Sequence, residues 1–215
     1  MRNSFLNNLK QITINKVIAE LLSNNRYHIN QNEISAFSII DLPNLDSSIE
    51  NKERWSLFRD KYWLFNRFIP HCDWFECQLK FPDCLDYIEI INEESWFQKM
   101  PPTNRLVKQV NYDYCINDKH KYKIEKYIKN GIEDFINEKY LILIGKYDSE
   151  TLTILDGNHR FLALYESFKL NKVNTMNIKV IVGLTYGNCR WFGDEDKWEE
   201  RPSNTNNKRY ILNIW

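Results

Sequence analysis

Apolar residues recur at helical spacing early in the chain. Phe5, Leu6, Leu9, Ile12, Ile14, Val17, Ile18, Leu21 and Leu22 predict an amphipathic helix over residues 4–23, stopped by Asn24 and Asn25. Residues 26–50 are polar and turn-rich, a strap or linker by composition. Trp55, Phe58, Tyr62 and Phe65 then fall at steps of three, four and three, one face of a helix ending before Pro70. That face reads as one sealing the core. The alternative, a stacking platform for bases, normally alternates with a net basic surface, and this segment is nearly balanced. From residue 85 the pattern changes. Leu85, Tyr87, Ile88, Ile90 and Ile91 predict a strand ending in an acidic corner at Asn92, Glu93 and Glu94. Residues 119–137 look helical, but Gly131 sits inside the run, so two short helices or one broken helix are expected. Residues 141–144 and 151–155 read as short buried strands joined by a turn. A helix over 158–170 and a strand over 178–182 follow, and the tail from Gly183 onward has no readable pattern.

These elements define an α/β (α+β) protein: a small mixed sheet flanked by helices, with an aromatic-rich α-helical N-terminal extension. Composition then narrows its business. Lys and Arg number 29 against 29 Asp and Glu, so the 215-residue chain has a formal net charge of zero. Gripping a nucleic-acid backbone usually needs a basic excess, which disfavours nucleic acid as the main partner. No apolar run reaches the ~20 residues that span a bilayer. The first residues lack the apolar core and cleavage site of a signal peptide. A cytoplasmic protein without a membrane partner is expected, and an odd count of five cysteines fits a reducing compartment. His71, Cys72, Cys77 and Cys84 lack the close cysteine pairs of structural zinc, so no metal site is assigned to them. Cys115 and His120 invite a nucleophile pair, but nothing in the sequence orients the imidazole. Lys119, Lys121, Lys123, Lys126 and Lys129 make a basic helix, either a solvated face or a surface for an anionic partner. Neither a P-loop nor a dinucleotide-binding glycine pattern occurs.

One segment carries chemistry: Asp156, Gly157, Asn158, His159 and Arg160, where a strand ends, turns and enters a helix. Gly157 permits a backbone conformation that a Cβ disfavours and lets a ligand approach. Asp156 or Asn158 can cap the first helical amides. Those amides and the helix dipole form an anion site. His159 adds a titratable ring, and Arg160 a cation suited to bidentate phosphate contacts. A phosphate or nucleotide is the expected guest. The bland alternative is a solvated cap on an ordinary strand-turn-helix junction.

The order of elements around this motif resembles the ParB/sulfiredoxin superfamily over roughly residues 85–185. There a helix leads to a strand, a hairpin, an Asp-Gly-x-His-Arg turn and a helix beginning with an x-x-Ala pattern. Residues 132–144 look like the first part; Asp156 to Arg160 with Ala163 match the second. The resemblance implies a nucleotide-binding core over 81–190, between an extension at 1–80 and a tail at 191–215. Sulfiredoxins carry a cysteine where this chain has Asn158. ParB proteins add a helix-turn-helix module, and the 55 residues after Arg160 show no such pattern. The motif is most similar to the free serine kinase branch. That likeness implies ATP or ADP with Mg²⁺, phosphates positioned by Asp156, His159 and Arg160, and a small hydroxylated substrate. It also implies a glutamate base after an early strand, for which Glu93 and Glu94 are candidates, with Glu89 behind them. A ParB-like module that binds or hydrolyses nucleotide, or associates with DNA, is the rival reading.

Overall fold

The structure, a computed structural model, describes residues 5–26, 37–41, 43–60, 72–91, 94–98 and 105–186. The first apolar run divides into strand β1 (Leu6–Gln11) and helix α1 (Ile14–Asn24) instead of forming one helix. Two local preferences account for the division. Asn8 takes φ 59°, a left-handed setting that asparagine tolerates, at a bulge where the register shifts between Asn7 and Lys10. Thr13 then caps α1, its side chain accepting from the Lys16 amide. Helices α2 (Phe37–Asp41) and α3 (Ser48–Asp60) follow. Trp55 and Phe58 of α3 are buried, while Tyr62 and Phe65 lie outside the described residues. Arg54, also buried, donates to the carbonyls of Ile39 and Asn44 at 2.8 and 2.9 Å and so ties α2 and the following loop to α3.

Strands β2 (Asp73–Phe81), β3 (Ile88–Glu89), β4 (Leu141–Lys146), β5 (Leu152–Asp156) and β6 (Met176–Thr185) join β1 in one sheet of order β1-β2-β6-β4-β5-β3. The sheet is mixed. β4–β6 and β3–β5 pair parallel, and the other neighbours antiparallel. Residues 141–145 of β4 and 180–185 of β6 are buried throughout, because helices cover both faces; that is why these strands read as continuous apolar runs. β2 crosses residue 80 and lies beside β6, so the first 80 residues contribute two strands to the sheet as well as helices. The strand expected over 85–91 is a 3₁₀ turn (Asp83–Asp86) followed by the two-residue β3.

Helices α4 (Tyr112–Cys115), α5 (Asp118–Asn130), α6 (Ile132–Ile136) and α7 (Asn158–Lys169) complete the described chain. Gly131, at φ 82°, ends α5 and opens α6, so the run is two helices. Both pack on α7. Phe81 of β2 meets Phe161 and Phe168 of α7 edge-on, with ring centroids 6.3 and 5.3 Å apart. Among the described residues no helix is long and apolar enough to cross a membrane.

Helix α1 meets the sheet through charged groups. Lys16 bridges Glu76 of β2 at 2.5 Å, and the Tyr140 hydroxyl donates to the same carboxylate. Burial works against the charge on Glu76, but those two hydrogen bonds hold its carboxyl below the ordinary value. Glu20, one turn after Lys16, lacks such help. Burial raises its carboxyl, Lys16 lowers it by less, and Glu76 raises it further. A carboxyl raised on folding binds its proton more tightly in the folded state, so its contribution to stability is lost as pH rises through the folded value. Glu20→Gln is therefore expected to melt higher than the parent at pH 7. The gain should shrink as the pH falls into the range where Glu20 is protonated, as thermal melts across pH 4–8 would show.

Candidate functional site

Parallel pairing of β3 with β5 sets their carboxyl ends side by side, so the segments that leave them become neighbours. In open α/β sheets such carboxyl ends are where ligands bind. After β3 comes the 3₁₀ turn Glu94–Trp96; after β5 comes Gly157 and then α7. Asn158 joins the two. Its Oδ1 accepts from the Ile91 amide at 3.1 Å, and its Nδ2 donates to the Ile154 carbonyl at 3.1 Å. Both ends of this buried amide are thus used inside the protein, and Asn158 is an architectural residue.

Arg160 is likewise turned inward. Only 7% of its surface is exposed, and Nη1 and Nη2 donate to the carbonyls of Lys139 and Tyr140 at 2.5 and 2.8 Å. The fork that the sequence suggested for a phosphate closes on the loop entering β4. Burial lowers the Arg160 pKa from its usual range, and Asp156 opposes that shift. Asp156 accepts from Asn24 Nδ2 at 2.6 Å, so the last residue of α1 reaches the motif. Gly157 stands at φ 96°, but the group that needs its missing Cβ is not a ligand. A Cβ there would lie 2.3 Å from Leu141 Cδ2 and 3.2 Å from Arg160 Nη2.

His159 faces a different set of neighbours. Its Nε2 lies 2.9 Å from Nδ1 of His120, which sits in the first turn of α5. Nε2 of His120 lies 3.0 Å from the Ser95 carbonyl. Trp96, buried, stacks on His120 with centroids 4.0 Å apart and planes at 14°, and faces His159 at 4.4 Å and 44°. Backbone bonds hold these pieces together: Asn117 N donates to the Trp96 carbonyl at 3.0 Å, and Gln98 N to the Cys115 carbonyl at 2.8 Å. His120, which the sequence sets five residues from Cys115, pairs with His159 instead. Spacing could not reveal that partnership, because 39 residues separate the rings.

Two helix starts therefore converge on the imidazole pair. The first amides of any helix lack intrahelical acceptors and carry the positive end of its dipole. Asn117 caps α5 through the Lys119 amide, whereas Gly157 offers α7 no side-chain cap. The arrangement suits an anion beside a proton acceptor. Among the expected bases, Glu93 lies outside the described residues, and for Glu94 the backbone alone is described, as the first residue of the 3₁₀ turn. Glu89 accepts from Arg105 at 2.9 Å and from Thr153 Oγ1 at 3.3 Å. Burial pushes the Cys77 and Cys84 thiols up to about 12, which keeps them protonated at neutral pH. His71 and residues 191–215 lie outside the described residues.

A magnesium ion is held by carboxylate oxygens, substrate phosphates and water. Among the described residues no group of three or more His, Cys, Asp or Glu could hold a metal. Asp156, the motif's own carboxylate, already accepts from Asn24. The described residues do not form a magnesium cage of their own. No protein-family model matches the chain, and neither a curated protein nor a solved structure matches it.

The inward fork of Arg160 has a measurable consequence. Hydrogen bonds to a charged group contribute roughly 1.5–3 kcal/mol each, so Arg160→Met is expected to destabilise the fold by about 3 kcal/mol or more. Gly157→Ala forces a left-handed alanine, at about 1–3 kcal/mol before the Leu141 clash. Urea unfolding reads both; an Arg160→Met variant as stable as the parent would mean that the fork is not structural.

Proposed function

We propose that the chain is a nucleotide-dependent phosphotransferase of ParB/sulfiredoxin-like kind. It transfers a phosphoryl group from ATP or ADP to the hydroxyl of a small metabolite, such as an amino acid or sugar derivative. The observation that carries this reading is the meeting of His159 and His120, 2.9 Å apart, in the first turns of α7 and α5. The element order supports it too: a helix, β4, the hairpin to β5, the Asp156–Arg160 turn, α7 and β6 follow the sequence that the resemblance implies.

Phosphoryl transfer asks little covalent chemistry of a protein. It needs the phosphates held by fixed positive dipoles, and an acceptor oxygen aligned and relieved of its proton. The amides opening α7 serve the first need, with Arg160, Asn158 and Gly157 holding the turn that presents them. His159 serves the second. The acceptor oxygen attacks the terminal phosphorus, the bond from that phosphorus to the nucleotide's bridging oxygen breaks, and the hydroxyl proton passes to His159. A positioned base of this kind contributes roughly 10²–10⁴ in rate.

Binding and chemistry are tested separately. ATP or ADP with Mg²⁺ is expected to raise the melting temperature, because a ligand at about 100 times its Kd adds about 2.7 kcal/mol. His159→Ala is expected to keep that shift while losing roughly 10²–10⁴ in kcat against a panel of amino acids, polyols and sugars. Absence of any shift at millimolar nucleotide would remove the reading.

One observation favours the rival, a ParB-like nucleotide-binding module associated with DNA. Lys119, Lys123, Lys126 and Lys129 are all exposed along α5, the helix whose first turn carries His120. In that case a gel shift on duplex DNA is expected to weaken steeply between 50 and 200 mM salt, as backbone contacts do.

A further inference from the structure

Asn24 ends α1 and meets the motif through one end of its amide only. Nδ2 donates to the Tyr140 carbonyl at 3.0 Å and to Asp156 Oδ2 at 2.6 Å. A carbonyl only accepts, so the nitrogen must face Tyr140 and the amide cannot be turned over. Oδ1 points the other way, and there it is buried with no hydrogen-bond partner among the described residues. An acceptor buried unpaired costs free energy, so the position favours a donor beside it.

Glu20 stands one turn earlier on α1, and residues four apart on a helix are neighbours. Bonds on either side bracket its place. Lys16, a turn before it, bridges Glu76 at 2.5 Å, and the Tyr140 hydroxyl donates to the same carboxylate. The Tyr140 carbonyl then returns to Asn24. Lys16, Glu76, Tyr140 and Asn24 thus close a loop of bonds on α1, with Glu20 between its two ends. The charges that face Glu20 are Lys16 of its own helix, Glu76 of β2, Lys139 before β4 and Lys179 of β6. Lys16 is engaged with Glu76, and Lys139 Nζ with the Ser23 carbonyl at 2.5 Å. Burial, helped by Glu76, outweighs the three lysines, so this carboxyl keeps its proton to a higher pH than an ordinary glutamate. A protonated carboxyl carries the O–H donor that Asn24 Oδ1 lacks.

We propose that Glu20 is a proton-binding positioning residue for the Asp156 turn, its neutral carboxyl donating to Oδ1 of Asn24. The only species exchanged is a proton taken from solvent. With both ends of the Asn24 amide engaged, the Asp156 carboxylate is fixed beside Gly157, and the start of α7 is held to α1. Loss of the proton removes the donor and sets a second negative charge near Glu76. The stability a raised carboxyl confers is lost as pH rises through its folded value, so the turn loosens in that direction. The tie stands apart from the phosphotransferase reading, which it serves by steadying the turn that presents the α7 amides.

NMR of the Asn24 side-chain amide reads the tie. In the parent its signal is expected to move in a step whose midpoint lies above 4.5, the ordinary glutamate value. The Phe161 amide, which donates to the Gly157 carbonyl, should exchange with solvent about fivefold more slowly below that step than above it, after correction for intrinsic pH dependence. Glu20→Gln supplies an N–H donor at every pH, so it should abolish the step and keep exchange slow throughout. Glu20→Leu supplies none and should keep exchange fast throughout. The proposal is overturned if the parent shows no step above 4.5, if the Gln variant retains it, or if the Gln and Leu variants exchange alike. The parent and the Gln variant decide the matter even if the Leu variant does not fold. A step at Asn24 without a nucleotide-induced melting shift would sink the phosphotransferase reading alone. A melting shift without the step would sink the tie alone.

Discussion

A buried guanidinium must find its hydrogen-bond partners inside the protein, and Arg160 finds them in two successive carbonyls, those of Lys139 and Tyr140. Much else hangs on that pairing. The carbonyls belong to the loop entering β4, and the arginine to the first turn of α7, so the bond sets where the helix starts relative to the sheet. Gly157 can stand against Leu141 only because that start is fixed. His159, one residue before the arginine, is turned by the same helix toward α5. Arg54 uses the same device near the N-terminus, forking onto the carbonyls of Ile39 and Asn44. Irregular chain has carbonyls that no ladder satisfies, and a buried arginine satisfies two at once.

The site follows from this frame together with one feature of topology. Because β3 and β5 run parallel, the turn bearing Ser95 and Trp96 leaves the sheet beside the turn bearing His159. Helix α5 is then stitched to the first of these turns by backbone bonds at Trp96 and Gln98. Three segments distant in sequence thereby hold two imidazoles against one indole. None of the three could orient the rings alone.

How far the sequence foretold this depends on the range of the forces involved. Local signals were legible. Gly131 marked a helix break, the runs at 141–144 and 151–155 marked a hairpin, and Asp156 with Gly157 marked the turn into α7. The first helix was misjudged because Leu6 and Leu9 fit its period, while the preference of Asn8 for a bulge and of Thr13 for a cap is a matter of single residues. Arg160 and Asn158 turn inward for a reason the sequence does not carry. Their side chains suit phosphates and backbone carbonyls or amides equally well, and only burial decides between them. His120 was legible as a titratable residue but not as a partner, since that depended on where α5 and α7 cross.

The bond from Asn24 to Asp156 closes a span of 132 residues, and β1 is held in the sheet by β2 some seventy residues later. Local pieces such as the β4–β5 hairpin can form early, but the setting of the motif waits for the chain's first helix to come back to it. On a ribosome, residue 24 emerges long before residue 156 is made. Helix α1 can pack early on α2 and α3, but the groups it meets at Glu76 and Asp156 are not yet in place. The region that anchors the candidate site is thus also the one whose exposure sets the window for misfolding, and assembly should depend on how long that helix waits.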